Sequence, residues 1–329
     1  MRLLVTGGAG FIGSNFIHYM ASQHPGYSII NVDALTYAGN LNNVASLSDH
    51  PNYAFIQADI ADRAALEAVF AGGIDAVVNF AAESHVDRSI AQPDIFVRTN
   101  VLGTQTLLDL AKRYGTAKFV QVSTDEVYGT LGATGLFSES TPLAPNSPYS
   151  ASKAGGDLIA RAYHETFGMD INVTRCSNNY GPYQFPEKLI PVMIQKALAG
   201  QPLPVYGDGL HVRDWLYVED HCRAIDLVLH GGRPGEVYNI GGNNERSNLQ
   251  VVSTILRELG RPESLISFVK DRPGHDRRYA IDADKIRNEL GWKPNYDYES
   301  GIRATIQWYL NQQDWMERIR SGAYLGDCP

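Results

Sequence analysis

Short apolar runs recur along the first half of the chain, each followed by a stretch with helical periodicity. Arg2–Thr6, Ser28–Asp33 and Tyr53–Gln57 read as strands, as do residues 76–80 and 118–123. The fourth run is apolar except for Asn79, as a parallel strand covered on both faces requires. Residues 14–20, 63–70, 97–114 and 149–167 carry the helical spacing. Repeated strand–helix units predict an α/β fold: a Rossmann-type doubly wound parallel sheet. Beyond Pro182 the pattern loosens. The expected division is therefore a domain over residues 1–180, with later segments returning to it, and a smaller C-terminal lobe over 181–329.

Ligands of such sheets bind beyond the carboxyl ends of the strands, and the first of these ends is rich in glycine. Gly7-Gly8-Ala9-Gly10-Phe11-Ile12-Gly13 joins the first strand to the first helix. Gly7 suits a tight turn, Gly10 lets backbone approach a pyrophosphate, and Gly13 lets the helix pack closely. The phosphates then meet the positive end of the helix dipole. Asp33 closes the second strand, twenty positions after Gly13. A carboxylate there accepts hydrogen bonds from ribose hydroxyls and repels a 2′-phosphate, which predicts NAD rather than NADP. Asp59, after the third strand, is within reach of the adenine amino group in this reading. Residues 81–84, 123–128 and 178–180 all follow strands and are expected to converge on the same crevice.

Two further patterns carry chemistry. Tyr149 and Lys153 lie four apart on a predicted helix and so share a face. A tyrosine with its usual pKa of ~10 is a poor base at neutral pH. A neighbouring ammonium and a cationic nicotinamide would stabilise its phenolate. The second pattern is Thr124-Asp125-Glu126 at the end of the fifth strand. Two adjacent acids facing a substrate cost desolvation energy, which simple oxidation or epimerisation does not repay. Removal of water repays it, because one group must take a proton and another must give one. Neighbouring carboxyls also tend to split in pKa, which leaves one acid and one base.

Together these residues resemble the extended short-chain dehydrogenase/reductase family over nearly the whole chain. Within it, four stretches are similar to the nucleotide-sugar 4,6-dehydratases acting on dTDP-glucose: residues 33–40, 81–90, 123–129 and 175–182. Related 4-epimerases usually carry small neutral residues at positions 125 and 126, and GDP-mannose dehydratases usually carry Ser-Glu. The resemblance implies oxidation at C4, elimination across C5 and C6, and reduction at C6 with bound NAD. It implies Tyr149 as base at the C4 hydroxyl, Thr124 on the C4 oxygen, Glu126 as base at C5 and Asp125 as acid at C6. Lys153 would also hold the nicotinamide ribose. For the cofactor it implies Gly7, Gly10, Phe11, Ile12, Gly13, Asp33, Ala34, Leu35, Thr36, Asp59, Ile60, Phe80, Ala81, Ala82, Ser84, Thr99, Tyr149, Lys153 and Asn179. For the nucleotide-sugar it implies Ser84, Thr124, Asn178, Lys188, Leu189, Pro204, Tyr206, Arg213, Asn248, Arg272 and His275. It further implies a homodimer paired through helices 97–114 and 149–167.

Rival readings are a nucleotide-sugar 4-epimerase or decarboxylase on the same fold, and a non-catalytic NAD-binding sensor. Solvent deuterium at C5 of the product separates dehydration from epimerisation. Composition narrows the field in other ways. At 44% hydrophobic and 19% charged the chain is ordinary globular protein, which excludes disorder. A net charge of −8 without a basic cluster argues against nucleic acid. No run is long and apolar enough for a membrane helix, and few residues precede Gly7, so a cytoplasmic protein is expected. Cys176, Cys222 and Cys328 show no paired spacing and read as free thiols. With no H-x-x-x-H or C-x-x-C spacing, no metal is expected.

Overall fold

Strands that are apolar on both faces must be covered on both faces, and this requirement shapes the molecule. The computed structural model describes residues 1–271 and 275–327. Its strands are β1 (Arg2–Thr6), β2 (Ser28–Asp33), β3 (Tyr53–Gln57), β4 (Ala76–Asn79), β5 (Lys118–Thr124), β6 (Ile171–Cys176), β7 (Asn178–Tyr180), β8 (Leu203–Tyr206), β9 (Val212–Tyr217), β10 (Val237–Ile240), β11 (Glu245–Ser247) and β12 (Ile266–Val269). Seven form one parallel sheet in the order β10-β6-β5-β4-β1-β2-β3. The order reverses beside β1, which opens a crevice at the carboxyl ends of β1 and β4.

Alternate side chains feed opposite layers. Val5, Val78 and Val120 pack with Phe16, Ile17 and Met20 of the helix Phe11–Gln23, and with Ile225 and Val228 of the helix Val218–Gly231. Leu4, Val77 and Phe119 pack on the other face with Leu66, Phe70, Leu107 and Leu110. Each such fully buried side chain stabilises the fold by roughly 1.5–3 kcal/mol. A separate core joins Ile190 and Met193 to Val251, Ile255, Ile302, Tyr309 and Trp315, and it forms the second lobe. The two lobes interweave. β10 and the helix Val218–Gly231 return to the first layer, while β7 leaves it to pair with β9.

The helix expected over 97–114 is not uniform. Val97–Gly103 is π-helical and only Thr104–Tyr114 is α-helical. The wide turn resolves two competing demands, since Arg98 and Thr99 face the crevice while Asn100 turns inward. The Asn100 amide donates to the Glu83 carbonyl at 3.0 Å, and its oxygen accepts from the Glu83 N–H at 3.0 Å. The helix Pro148–Phe167 begins one residue before Tyr149, where Ser147 and Ser150 form a reciprocal cap and Pro148 occupies the first turn. It lies so close to the π-helical segment that a Cβ on Gly156 would stand 2.7 Å from the Asn100 carbonyl. That close approach fixes Tyr149 and Lys153 over the sheet.

Candidate active site

A cavity of about 460 Å³ fills the crevice, within the usual size range for small-ligand sites. Its lining includes every residue expected at the cofactor except Leu35, from the Gly7–Gly13 turn through Asp33, Ala34, Thr36, Asp59, Ile60, Phe80, Ala81, Ala82, Ser84, Thr99 and Asn179. Leu35 stands just outside with a left-handed backbone (φ 52°), and its N–H donates to Asp33 Oδ1 at 2.8 Å. The other Asp33 oxygen accepts from the Ala9 N–H at 2.9 Å, so the carboxylate is pinned at the rim of the glycine turn.

These residues fit a dinucleotide. The helix Phe11–Gln23 has Gly10 as its N-cap, no side-chain cap and no acid in its first turn. Its first N–H groups are thus available to an anion. Gly7 adopts φ 70°, and a Cβ there would lie 2.6 Å from the Ala81 nitrogen. A Cβ on Gly13 would lie 2.3 Å from the Gly7 carbonyl. On Gly10, by contrast, a Cβ would meet only that same carbonyl, at 3.3 Å, and would otherwise project into open space.

Thr124, Glu126, Tyr149 and Lys153 line the same cavity. Asp125 does not. It lies directly behind the wall at 2% exposure, with Oδ1 3.3 Å from the Thr124 hydroxyl and Oδ2 buried without a hydrogen-bond partner. Burial first, then the charges of Glu126 and Asp214, push its carboxyl well above the ordinary range, against the opposing pull of Arg213. The carboxyl therefore holds its proton more tightly than a free one does. The Thr124 hydroxyl is within hydrogen-bonding reach of both Asp125 and the Tyr149 phenol.

The expected depression of Tyr149 draws on Lys153 and a cationic nicotinamide together; Lys153 by itself does not produce it. Burial, followed by Glu126, Cys176 and Asp125, holds the phenol well above its ordinary value. The Lys153 ammonium instead donates to the Val122 carbonyl at 2.7 Å, and burial lowers its own pKa against the pull of Asp157. The pair needs further positive charge in the cavity before the phenol becomes a base.

The residues expected at the nucleotide-sugar fall into three groups. Ser84, Thr124, Asn178 and Lys188 line the cavity, with Lys188 Nζ 3.2 Å from the Ser84 carbonyl. Leu189 follows Lys188 and packs on the second-lobe core. Pro204 and Tyr206 on β8, Arg213 on β9, Asn248 and His275 lie outside the cavity lining and gather within the second lobe. There His275 stacks on His211 at 3.7 Å, the Tyr206 ring is 6.4 Å from His275, and the Asn248 N–H donates to the His211 carbonyl at 2.9 Å. Arg213, whose guanidinium lies 4.4 Å from the Tyr279 ring, links this group electrostatically to Asp125. Arg272 lies outside the described residues.

Sequence reasoning placed Glu83 at the crevice within residues 81–84 without a role and gave Cys176 none, and both line the cavity. Cys176 and Ser177 sit at the carboxyl end of β6, the same signal that marked the other strand ends. The Cys176 thiol is pushed up to about 12, mainly by burial, and stays protonated. The sequence likewise showed no metal-ligand spacing, but space assembles two groups among the described residues: His211, Asp271 and His275, and His24, Asp226 and His230.

The all-parallel sheet, the dinucleotide-sized crevice and the Tyr149–Lys153 pair define an extended short-chain dehydrogenase/reductase. More narrowly, the chain belongs to the GDP-mannose 4,6 dehydratase family, whose model matches residues 4–305. It is 56% identical to the dTDP-glucose 4,6-dehydratase of Xanthomonas campestris pv. campestris (strain B100), over 98% of this chain and 96% of that one. It is similar to the crystal structure of dTDP-glucose 4,6-dehydratase from Bacillus anthracis str. Ames in complex with NAD. That match has TM-score 0.92 and 58% identity, covering 97% of this chain and 99% of the other. The Streptomyces venezuelae dTDP-glucose 4,6-dehydratase, solved with NAD and TYD bound, matches with TM-score 0.94 and 51% identity over 97% and 100% of the two chains.

Proposed function

We propose that the protein converts dTDP-glucose to dTDP-4-keto-6-deoxyglucose and water, with NAD retained through the cycle. The observation that carries this is the pairing of a fully buried carboxyl, Asp125, with a cavity-lining one, Glu126, beside Thr124 and Tyr149. Relatives that share more than half of their residues with this chain bear the same activity in their names.

NAD would be held by the Gly7–Gly13 turn at its phosphates, by Asp33 to Thr36 at the adenosine ribose, by Asp59 and Ile60 near the adenine, and by residues 80–82, Ser84, Thr99, Lys153 and Asn179 toward the nicotinamide. When bound, it supplies a cationic ring beside Tyr149, accepts a hydride from C4 and returns it to C6. Tyr149 takes the C4 hydroxyl proton while Thr124 holds the C4 oxygen. The resulting ketone acidifies the C5 proton, which Glu126 removes. Asp125 protonates the C6 hydroxyl so that water departs, and Glu126 returns a proton to C5. Asn178, Lys188, Leu189 and the group around Arg213, Tyr206, Asn248 and His275 would hold the nucleotide diphosphate, for which arginine is geometrically suited.

Val97 and Leu102 on the π-helical segment are 55% and 47% exposed, and Leu158 and Phe167 on the neighbouring helix are 55% and 49% exposed. Apolar groups clustered on adjacent helices support a homodimer that buries them against a second copy. The free, buried thiols of Cys176 and Cys222 support a cytoplasmic setting. Among the described residues, no helix is long and apolar enough to cross a membrane.

The test is incubation with dTDP-glucose and, separately, UDP-glucose in deuterated water, followed by mass spectrometry and NMR. The expected product has lost one water and carries deuterium at C5. A C4 epimer without deuterium at C5 would assign the protein to epimerisation instead.

A further inference from the structure

We propose that the protein carries a second ligand site, remote in function from the crevice, for a divalent transition-metal ion of the zinc class. Its ligands are His24, Asp226 and His230. His24 caps the C-terminal end of the helix Phe11–Gln23. Asp226 and His230 lie four apart on the helix Val218–Gly231 and so share a face. The two helices pack together, and one ligand atom from each of the three residues falls within 4.8 Å of the others.

The two rings stack at 5.0 Å and each turns a nitrogen to the carboxylate. His24 Nε2 is 3.0 and 3.1 Å from its oxygens, and His230 Nδ1 is 2.9 Å from Oδ1 and 2.9 Å from the Asp226 backbone carbonyl, which an ion would displace. Two imidazoles and one carboxylate form a ligand set that zinc, cobalt and nickel accept, whereas magnesium and calcium prefer oxygen alone.

The surroundings hold this set in place. The Tyr27 hydroxyl is 2.8 Å from His230 Nε2, the nitrogen turned away from the carboxylate. With Nε2–H donating to that hydroxyl, Nδ1 is the unprotonated nitrogen and is left to the ion. The Tyr27 ring also stacks on His24 at 4.6 Å and 10°. Tyr19 donates to Asp226 Oδ2 at 3.3 Å and orients the carboxylate. The nearby cation, Arg223, is engaged by Asp220 at 3.1 Å and by the Lys293 carbonyl. Side-chain exposures of 26% for His24, 38% for His230 and 13% for Asp226 leave a path for an ion. None of these residues lines the crevice or enters the mechanism above. An ion bound here would tie the helix that begins at the glycine turn to a helix contributed by the C-terminal half.

The full-length protein, stripped with chelator, is titrated with Zn²⁺ and Co²⁺ by calorimetry and by cobalt absorption, with Mg²⁺ and Ca²⁺ in parallel. The expected result is saturable Zn²⁺ and Co²⁺ binding with a rise in Tm and little response to Mg²⁺ or Ca²⁺. The double variant His24→Ala/His230→Ala loses one bound equivalent and its share of the Tm rise. Tyr27→Phe weakens that equivalent by roughly tenfold, as loss of a supporting hydrogen bond does. His211→Ala controls for the other His/Asp/His group and retains the equivalent assigned here. Turnover of dTDP-glucose by the double variant stays at the parent level, which also reports that it folds; His24→Gln serves if it does not. An unchanged stoichiometry in these variants, or equal affinity for Mg²⁺, overturns the proposal. Absence of turnover in every form bears on the proposed dehydratase activity and leaves the metal readout intact.

Discussion

Replacing Asp125 with asparagine separates proton donation from packing. The amide matches the carboxyl in shape, keeps an oxygen for the Thr124 hydroxyl at 3.3 Å, and turns an N–H toward the side where Oδ2 is buried without a partner. Below the ordinary pKa of 3.8, where folded and unfolded chains both carry the neutral acid, the stability change should therefore stay within about 1 kcal/mol, the net value of one hydrogen bond. Catalysis should fall far more. General acid–base groups contribute on the order of 10²–10⁴-fold, or about 2.7–5.5 kcal/mol of barrier. The pH dependence supplies an independent check. Burial and the charges of Glu126 and Asp214 raise this carboxyl in the folded state. A group raised on folding lends stability at low pH that is lost as pH climbs from its ordinary value of 3.8 through the raised one. Asparagine binds no titrating proton, so the variant should gain on the parent across that window, by at most ~1.36 kcal/mol per pH unit. Urea unfolding at a series of pH values measures the second effect, and single-turnover product analysis measures the first. A variant that turns over within a few-fold of the parent, or loses stability with pH as steeply as the parent does, would refute the assignment of Asp125 as a buried acid that holds its proton tightly.

Four other substitutions probe the same site. Glu126→Gln should bind NAD and dTDP-glucose normally yet incorporate no solvent deuterium at C5; full exchange would remove Glu126 from its role. Tyr149→Phe should fold and bind but lose C4 oxidation by about 10²–10⁴-fold, seen as the absence of reduced nicotinamide in a single turnover. Thr124→Val should slow oxidation and cost about 1–3 kcal/mol by leaving both Asp125 oxygens unpaired, with Thr124→Ser restoring both; equal behaviour of the two variants would argue against a role for the hydroxyl. Gly13→Ala should destabilise by roughly 1–3 kcal/mol and weaken NAD binding, because its Cβ would stand 2.3 Å from the Gly7 carbonyl; a denaturation midpoint equal to the parent's would refute that clash.

What could be read from the chain was local. The strand β3 and the paired strands β1 and β2 are visible because side chains alternate or run apolar over a few neighbours. Tyr149 and Lys153 are visible because four positions on a helix bring side chains together whatever surrounds them. The π-helical turn at Val97–Gly103 was not legible, since it answers to the Glu83 backbone and to the helix Pro148–Phe167 rather than to its own sequence. The balance of protein charges around Tyr149 was not legible for the same kind of reason. Spacing reveals that an ammonium is near, but not that it is committed to the Val122 carbonyl while burial dominates. The grouping of His275 with His211 and the link between Arg213 and Asp125 likewise depend on segments far apart in the chain.

The division of labour between adjacent carboxyls follows from where the strand ends. Thr124 is the last residue of β5, and the turn after it, Asp125–Tyr128, sends successive side chains to different environments. Asp125 enters the wall among Asp214 and Arg213, whereas Glu126 reaches the cavity. Two acids that are chemically alike thus differ because one has lost access to water and the other has kept some. An elimination needs this inequality: a base at C5 must be able to ionise, and an acid at C6 must resist ionising until the leaving group draws its proton. The Thr124 hydroxyl, within reach of both Asp125 and the Tyr149 phenol, connects the redox centre to the acid. Lengthening the strand by one residue would put Glu126 behind the wall and Val127, which cannot ionise, in its place at the cavity. The length of β5 is thus part of the chemistry.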